Sequence, residues 1–120
     1  MRLRVTFYYV GDLVAATEAY SKLLGLSPYY SDEDWVRFRL EGGDLALHLD
    51  ANLQPARQPA PVLHGAVASL SVDDIGAVLE LAQHAGFQLH GDVQTLPYGL
   101  QARILDLWGN HISILQPMEA

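Results

Sequence analysis

The side chains of this sequence that could do chemistry are mainly histidines and arginines. The chain contains no cysteine, which excludes thiol chemistry. His48 and His111 lie in runs of alternating character, and Ser113 shares the alternation of His111. A neutral imidazole on a strand can donate a hydrogen bond to a ligand or exchange a proton with it, and it can equally be a half-buried structural residue. A further interpretation is a metal site built from both histidines and a third group, Asp50 or His64. For His111 the preferred interpretation is a polar position beside a turn.

Arg37, Arg39 and Arg103, half of the six arginines, form one set on predicted strands. Arg37 and Arg39 alternate with apolar residues, and Arg103 alternates with Ala102 and Ile104 in the same sense. If all three point to one side, they favour an anionic ligand, because guanidinium groups match carboxylates and phosphates. The alternative is that these strands lie near a sheet edge, where charged side chains prevent unwanted strand pairing.

The two tryptophans, Trp35 and Trp108, lie near predicted turns. Aromatic rings at such positions could form the wall of a pocket for a planar ligand by stacking and apolar burial. The alternative is that they pack in the core or in a dimer interface. We therefore take both as candidate ligand-binding residues.

Composition limits the classes of function. The chain has 120 residues, half of them hydrophobic, and a formal net charge of −7, so it is expected to fold as one domain. A basic surface for nucleic acid is not expected, because the seven basic residues form no run. No apolar run approaches the ~20 residues of a membrane span. The N-terminus passes directly into a strand-like pattern without a signal sequence, so we expect a cytoplasmic protein with no membrane partner.

The first part of the chain predicts one helix among strands. Asp12 can cap the helix at its N-terminus and Gly25 can end it in a left-handed conformation. Apolar residues recur at helical spacing between these caps and at alternating positions elsewhere. The predicted elements are strand 3–10, helix 13–24, strand 26–30, strand 35–40 and strand 45–49.

The same order of elements returns after residue 64. Residues 51–64 carry three prolines and no periodicity, which indicates a linker. Asp73 and Asp74 then form a cap, and Gly86 ends the second helix. His84 and His90 are predicted to lie on the surface. The predicted elements are strand 66–72, helix 75–85, strand 87–90, strand 100–105 and strand 111–115.

These elements predict an α+β fold of two tandem βαβββ modules within a single domain, residues 1–120. Module one covers residues 1–50, the linker covers 51–64, and module two covers 65–116. Each amphipathic helix should cover one face of its sheet and leave the other face free for a ligand. A turn at Gly109–Asn110 joins the last two strands.

Three motifs, "VGDL…Y…LLGL", "SVDD…AQHAGF" and "D..GN.I.I", together resemble the vicinal oxygen chelate superfamily over essentially the whole chain. That superfamily contains glyoxalase I, bleomycin resistance proteins, fosfomycin resistance enzymes and extradiol dioxygenases. The resemblance implies an open barrel of the glyoxalase/bleomycin-resistance type around a ligand cavity, and homodimer formation. It also implies four inward positions that hold a divalent metal in metal-dependent members.

By motif, those four positions are Val5, His48, Val67 and Ser113 in this sequence. Only the histidine is a good ligand, whereas stable sites need three or more nitrogen, oxygen or sulfur donors. The family's metal chemistry is therefore not expected here, and no cofactor is expected. The usual Pro-Asp of the last turn is also replaced, by Leu107-Trp108.

The sequence thus predicts metal-independent binding of a small organic ligand, anionic or aromatic, in the cup of the sheet. The predicted wall residues are His48, Trp35, Arg37, Arg39, Arg103, His111, Ser113 and Trp108. The alternative is a metal-dependent lyase, isomerase or dioxygenase of the same superfamily with an atypical metal site. A bound metal that is lost on His48→Ala would favour that alternative.

Overall fold

The computed structural model describes residues 1–56 and 65–118, so residues 57–64 of the predicted linker lie outside the described residues. The chain divides into two units, Met1–Pro55 and Ala56–Ala120. Each unit carries one helix and one four-stranded sheet in the order βαβββ. The predicted α+β fold of two tandem modules is therefore confirmed. In the described part of the chain, no helix is long and apolar enough to span a membrane.

The first unit contains one helix and one mixed sheet, with the strand order β1-β4-β3-β2. Strand β1 pairs in parallel with β4, and the other neighbours pair antiparallel. The parallel pair forms because the chain crosses over through the helix between β1 and the remaining strands. The elements are β1 (Val5–Val10), α1 (Leu13–Leu24), β2 (Tyr30–Ser31), β3 (Trp35–Leu40) and β4 (Gly43–Leu49).

The second unit repeats this topology, with the strand order β5-β8-β7-β6. Strand β5 pairs in parallel with β8, while β7 pairs antiparallel with both β8 and β6. The two units therefore correspond strand for strand, as the repeated sequence pattern predicts. The elements are β5 (Ala68–Ser71), α2 (Ile75–His84), β6 (Gln88–Leu96), β7 (Gly99–Leu105) and β8 (His111–Pro117).

Both helices begin as the sequence predicts. The side chain of Asp12 accepts a hydrogen bond from the backbone N–H of Ala15, and that of Asp74 accepts one from Ala77. Both caps have extended backbone conformations, which stop the helix from continuing toward the N-terminus. Gly25 ends α1 in the left-handed conformation, with φ of 66°.

Each helix covers one face of its own sheet. In the first unit the apolar stripe of α1 and alternate residues of β3 and β4 are buried; they are Ala16, Tyr20, Leu23, Val36, Phe38, Leu45 and Leu47. The second unit repeats the arrangement with Ile75, Leu79, Ala82, Ala102, Ile104, Ile112 and Ile114. Because strand side chains alternate, the residues between these positions lie on the opposite face of each sheet.

Strand β2 is shorter than the predicted strand 26–30. The N–H of Leu26 donates to the carbonyl of Ser21, 3.2 Å away, as part of the end of α1. Pro28 has no N–H to donate to a neighbouring strand. Pairing with β3 therefore begins only near Tyr30.

Strand β6 is longer than the predicted strand 87–90, because it continues to Leu96. Gly91 and Asp92 have the composition of a turn, but the chain does not reverse there. Instead, the register with β7 shifts between His90 and Gln94, and Gly91 has a φ of 77°. This irregularity bends the strand without ending it.

The loop between β7 and β8 is held by the buried carboxylate of Asp106. Its Oδ1 accepts the backbone N–H groups of Trp108 and Asn110, each at 2.9 Å. Its Oδ2 accepts the side-chain amide of Asn110 at 2.8 Å. The Asp and Gly-Asn of the last motif are therefore the residues that close this turn.

We predict that Asp106→Ala lowers the free energy of unfolding by about 2–4 kcal/mol, because two backbone N–H groups lose their acceptor. Asp106→Asn is the matched control, since its Oδ1 can still accept both N–H groups, and it should cost less than half as much. Urea unfolding of the three proteins measures both effects. An Asp106→Ala protein as stable as the wild type would contradict this role.

Candidate functional site

The face of the first sheet opposite α1 carries four neighbouring rings, which we call the aromatic face: Phe7, Tyr9, Trp35 and His48. The strand register places His48 of β4 between Tyr9 of β1 and Trp35 of β3. The His48 ring centroid lies 5.1 Å from that of Tyr9 and 5.6 Å from that of Trp35. Phe7 lies 5.2 Å from Trp35 in an edge-to-face arrangement.

The aromatic face remains partly open to solvent. Phe7 is 42% exposed and Tyr9 is 51% exposed, whereas Val36 and Leu47 on the helix side are buried. Such rings are usually covered by the core or by a partner, because their burial is strongly favourable. The exposure of Phe7 and Tyr9 beside the half-buried Trp35 and His48 marks this face as a candidate binding surface.

His48 adds one polar group to the aromatic face. Its Nδ1 lies 3.1 Å from the backbone carbonyl oxygen of Leu49. Because a carbonyl oxygen can only accept, Nδ1 carries the proton in this hydrogen bond. In the neutral ring Nε2 is then an acceptor, suited to a hydroxyl or N–H donor of a ligand.

Arg37 lies on the same face of the first sheet, but it already has a carboxylate partner. Its Nε and Nη2 donate to Oδ2 of Asp44 at 3.0 and 2.6 Å. The hydroxyl of Tyr29 donates to the same oxygen. The Tyr29 hydrogen bond and the Arg37 cation lower the pKa of Asp44, so the carboxylate stays ionised.

Arg39 is exposed, and its guanidinium lies 4.1 Å from the centre of the Tyr29 ring. The structure thus gives Arg37 and Arg39 internal partners on the first sheet. This weakens the interpretation of these two arginines as an anion site.

The face of the second sheet opposite α2 carries polar side chains, which we call the polar face: His90, Gln101, Arg103, His111 and Ser113. Arg103 of β7 pairs with His90 of β6 on one side and with Ser113 of β8 on the other. Gln101 donates a hydrogen bond to Ser113 Oγ at 3.0 Å, and the rings of His90 and His111 lie 5.4 Å apart.

A cleft of about 330 Å³ opens beside this polar face, with Arg103 in its wall. It is lined by His90, Gly91, Asp92, Gln94, Gln101, Ala102 and Arg103. Its volume lies at the lower end of the range of ligand-binding pockets, which begins near 300 Å³. The bend of β6 at Gly91 provides its rim.

His111 and Ser113 are more buried than a position beside a turn suggests, with only 6% and 5% of their surface exposed. Burial lowers the pKa of His111, and electrostatic interaction with His90 and Arg103 lowers it further. The negative charge of Asp106 raises the pKa of His111. The neutral imidazole is therefore the favoured form in the folded protein.

The structure distributes the predicted site residues over the two units. It brings Trp35 and His48 into contact on the first sheet, with Arg37 and Arg39 on the same face. It brings Arg103, His111 and Ser113 together on the second sheet, while Trp108 is half-buried in the β7–β8 loop. Their roles in ligand binding stay predictions.

His90 is absent from the predicted site residues, because it was predicted to lie on the surface. The structure places it half-buried beside His111. The available signal was the alternation of Gln88 and His90 against Leu89, which puts His90 on the face opposite α2. Because Gly91 and Asp92 resemble a turn, the strand was predicted to end at His90.

The sequence profile described as Glyoxalase/Bleomycin resistance protein/Dioxygenase superfamily matches residues 2–114. The chain belongs to this superfamily. The match covers both units and includes every strand residue up to Ile114, so the repeated fold and the family assignment agree.

Solved structures of this superfamily share the fold. A glyoxalase-related enzyme from Fulvimarina pelagi is 21% identical, with a TM-score of 0.76 over 99% of this chain and 93% of that one. A glyoxalase/bleomycin resistance protein from Catenulispora acidiphila DSM 44928 is 26% identical, with a TM-score of 0.67 over 98% and 100%. One from Albidiferax ferrireducens T118 is 19% identical, with a TM-score of 0.76 over 97% and 98%. No curated protein matched the chain.

The four positions that the superfamily resemblance assigns to a metal do not offer a suitable donor set. Val5 and Val67 end in methyl groups, which have no lone pair to donate. His48 and Ser113 are the two of the four positions that carry a donor atom, fewer than the three that a stable site needs. Across residues 1–56 and 65–118, no group of three or more His, Asp or Glu residues is placed to hold a metal ion. His64, named above for a shifted site, lies outside the described residues.

We predict that His111 titrates below 6.5, the ordinary pKa of histidine. Its contribution to stability is then complete above about pH 6.5 and is lost as the pH falls through the lower pKa of the folded state. Arg103→Gln should raise the pKa of His111, because it removes one neighbouring cation. The ring Cε1–H signals in NMR spectra recorded from pH 4 to 8 measure both values.

The matched control is Arg2→Gln, which removes the same charge from the exposed N-terminal segment. It should leave the titration of His111 unchanged. A wild-type midpoint at or above 6.5, or no change on Arg103→Gln, would show that the polar face does not control the protonation of His111.

Proposed function

We propose that this protein binds a small organic ligand, aromatic or anionic, on the sheet faces opposite its helices, without a metal. Membership of the superfamily supports ligand binding in general. The main structural support for the proposal is the aromatic face. Phe7, Tyr9, Trp35 and His48 form a contiguous set of rings on one side of a rigid sheet.

The energetics favour a planar apolar ligand on this face. Covering apolar surface contributes about 25 cal/mol per Å². Stacked or edge-to-face aromatic pairs contribute about 0.5–1.5 kcal/mol more. Since the strands already hold the four rings in place, little conformational entropy is lost when a ligand binds.

The polar groups around the rings can orient such a ligand. His48 Nε2 offers one acceptor within the aromatic face, and the ionised pair of Arg37 and Asp44 lies on the same sheet face. A ring that carries a hydroxyl or N–H group could therefore stack and donate one hydrogen bond. This is the pattern of a mainly apolar site with few polar contacts.

Metal independence rests on the chemistry of the donors. The valines at two of the four superfamily positions leave His48 without the partners that a divalent cation requires. In this proposal His48 therefore contacts the ligand directly. Homodimer formation, a cytoplasmic location, and the absence of nucleic-acid and membrane partners stay predictions from the sequence.

We predict that 2-naphthol, used as a neutral aromatic probe, binds the aromatic face and shifts the Trp35 indole N–H signal in NMR spectra. Phe7→Ala and Tyr9→Ala should each weaken binding about three- to tenfold, the equivalent of one aromatic contact. Both residues are exposed enough to be replaced without loss of the fold. Leu81→Ala is the matched control, because Leu81 is similarly exposed, at 44%, but lies on α2.

The same titration is repeated after dialysis against EDTA, with metal content measured by mass spectrometry. The proposal predicts unchanged affinity and no stoichiometric metal. Binding that requires Fe, Zn, Ni or Mn and disappears on His48→Ala would favour the metal-dependent enzyme instead. Equal affinity in Phe7→Ala, Leu81→Ala and wild type would place the ligand elsewhere.

A further inference from the structure

Arg103 differs from Arg37 in having no carboxylate partner. No carboxylate among the described residues forms an ion pair with it within 4.0 Å. Its Nε is buried and has no hydrogen-bond partner within the described ranges. Arg37 provides the contrast, because two of its nitrogens donate to Asp44.

The groups around Arg103 do not supply the missing negative charge. His90 and His111 are neutral or positive, and Gln101 and Ser113 are neutral and hydrogen-bonded to each other. The carboxylate of Asp106 binds the N–H groups of its own loop.

Asp92 is the remaining acidic residue of this cleft; it is exposed and forms no ion pair with Arg103 within 4.0 Å. The guanidinium of Arg103 thus stays uncompensated in a protein whose net charge is −7. A partly buried charge without a partner is costly, and an anion from solution removes that cost.

We propose that the cleft beside Arg103 binds the carboxylate or phosphate group of a small molecule. The planar guanidinium can donate two parallel hydrogen bonds to either group. Binding gives the guanidinium, which lines the cleft, an anionic partner. His90, on the adjacent strand, can donate a further hydrogen bond to the same anion.

The remainder of the cleft suits the uncharged part of such a molecule. Gln94 and Gln101 present amides that can donate and accept. The volume of about 330 Å³ matches the size of a small metabolite. The chemical class is therefore a small organic acid or a small phosphate ester.

This inference rests on the proposed function only in placing ligands on the faces opposite the helices. Its site lies on the second unit and its chemistry is ionic, whereas the aromatic face lies on the first unit. The two proposals can therefore be refuted separately: 2-naphthol tests the aromatic face, and an inorganic anion tests Arg103.

The test is an NMR titration of the full chain with inorganic phosphate and, separately, with acetate, at constant ionic strength set by sodium chloride. The Arg103 Nε–Hε signal should move in a saturable manner with at least one of the two anions. Arg103→Gln should weaken binding at least about tenfold, as expected for loss of a charged hydrogen bond. Arg103→Lys should have a smaller effect, since it keeps the charge and loses the planar fork.

Arg2→Gln is the control for net charge and should bind as the wild type does. Saturation with phosphate alone supports a phosphate ester, and saturation with acetate alone supports a carboxylate. Saturation with both supports an oxyanion site that accepts either. An Arg103 signal that moves with neither anion in the wild-type protein overturns the proposal. Equal binding by folded Arg103→Gln does so as well.

Discussion

Strand alternation under a single covering helix is the constraint on which the rest of this structure depends. In each unit one helix packs on one face of a four-stranded sheet, and the apolar residues that meet it occupy every second position. The positions between them must lie on the opposite face. A shift of one residue in β4 would exchange His48 with Leu47, and the same shift in β8 would exchange Ser113 with Ile112. Register therefore determines both the core and the candidate site.

The two units use the same topology for different chemistry. The first unit places aromatic rings on its face opposite the helix and pairs Arg37 with Asp44. The second unit places histidines, amides and one uncompensated arginine there. In both, the first strand pairs in parallel with the last strand across the helix crossover, β1 with β4 and β5 with β8. The fold thus provides two similar platforms, and side-chain choice alone gives each its binding properties.

Much of this arrangement could be predicted from the sequence, because period and capping are local properties. Asp12, Asp74 and Gly25 mark the helix ends, and the alternation around His48 gives its face. The remaining features depend on pairing between distant strands. Nothing local to Arg37 indicates that Asp44, across the β3–β4 hairpin, takes up its charge.

Three further features of the polar face could not be derived locally. The proximity of His90 and His111 arises only when β6 and β8 flank β7. The bend at Gly91 resembles a turn in sequence and becomes an irregularity within a strand only when the pairing partner is known. The depth to which His111 and Ser113 are buried likewise depends on the whole unit and not on β8 alone.

An NMR titration with benzoate, which combines an aromatic ring and a carboxylate in one probe, tests whether the sheet faces opposite the helices bind ligands. The account predicts saturable shifts confined to side chains on the faces opposite the helices, such as the Trp35 indole and the Arg103 guanidinium. It also predicts that the shifts are unchanged by EDTA. Shifts on the helix side only, or binding that depends on an added divalent metal, would contradict it.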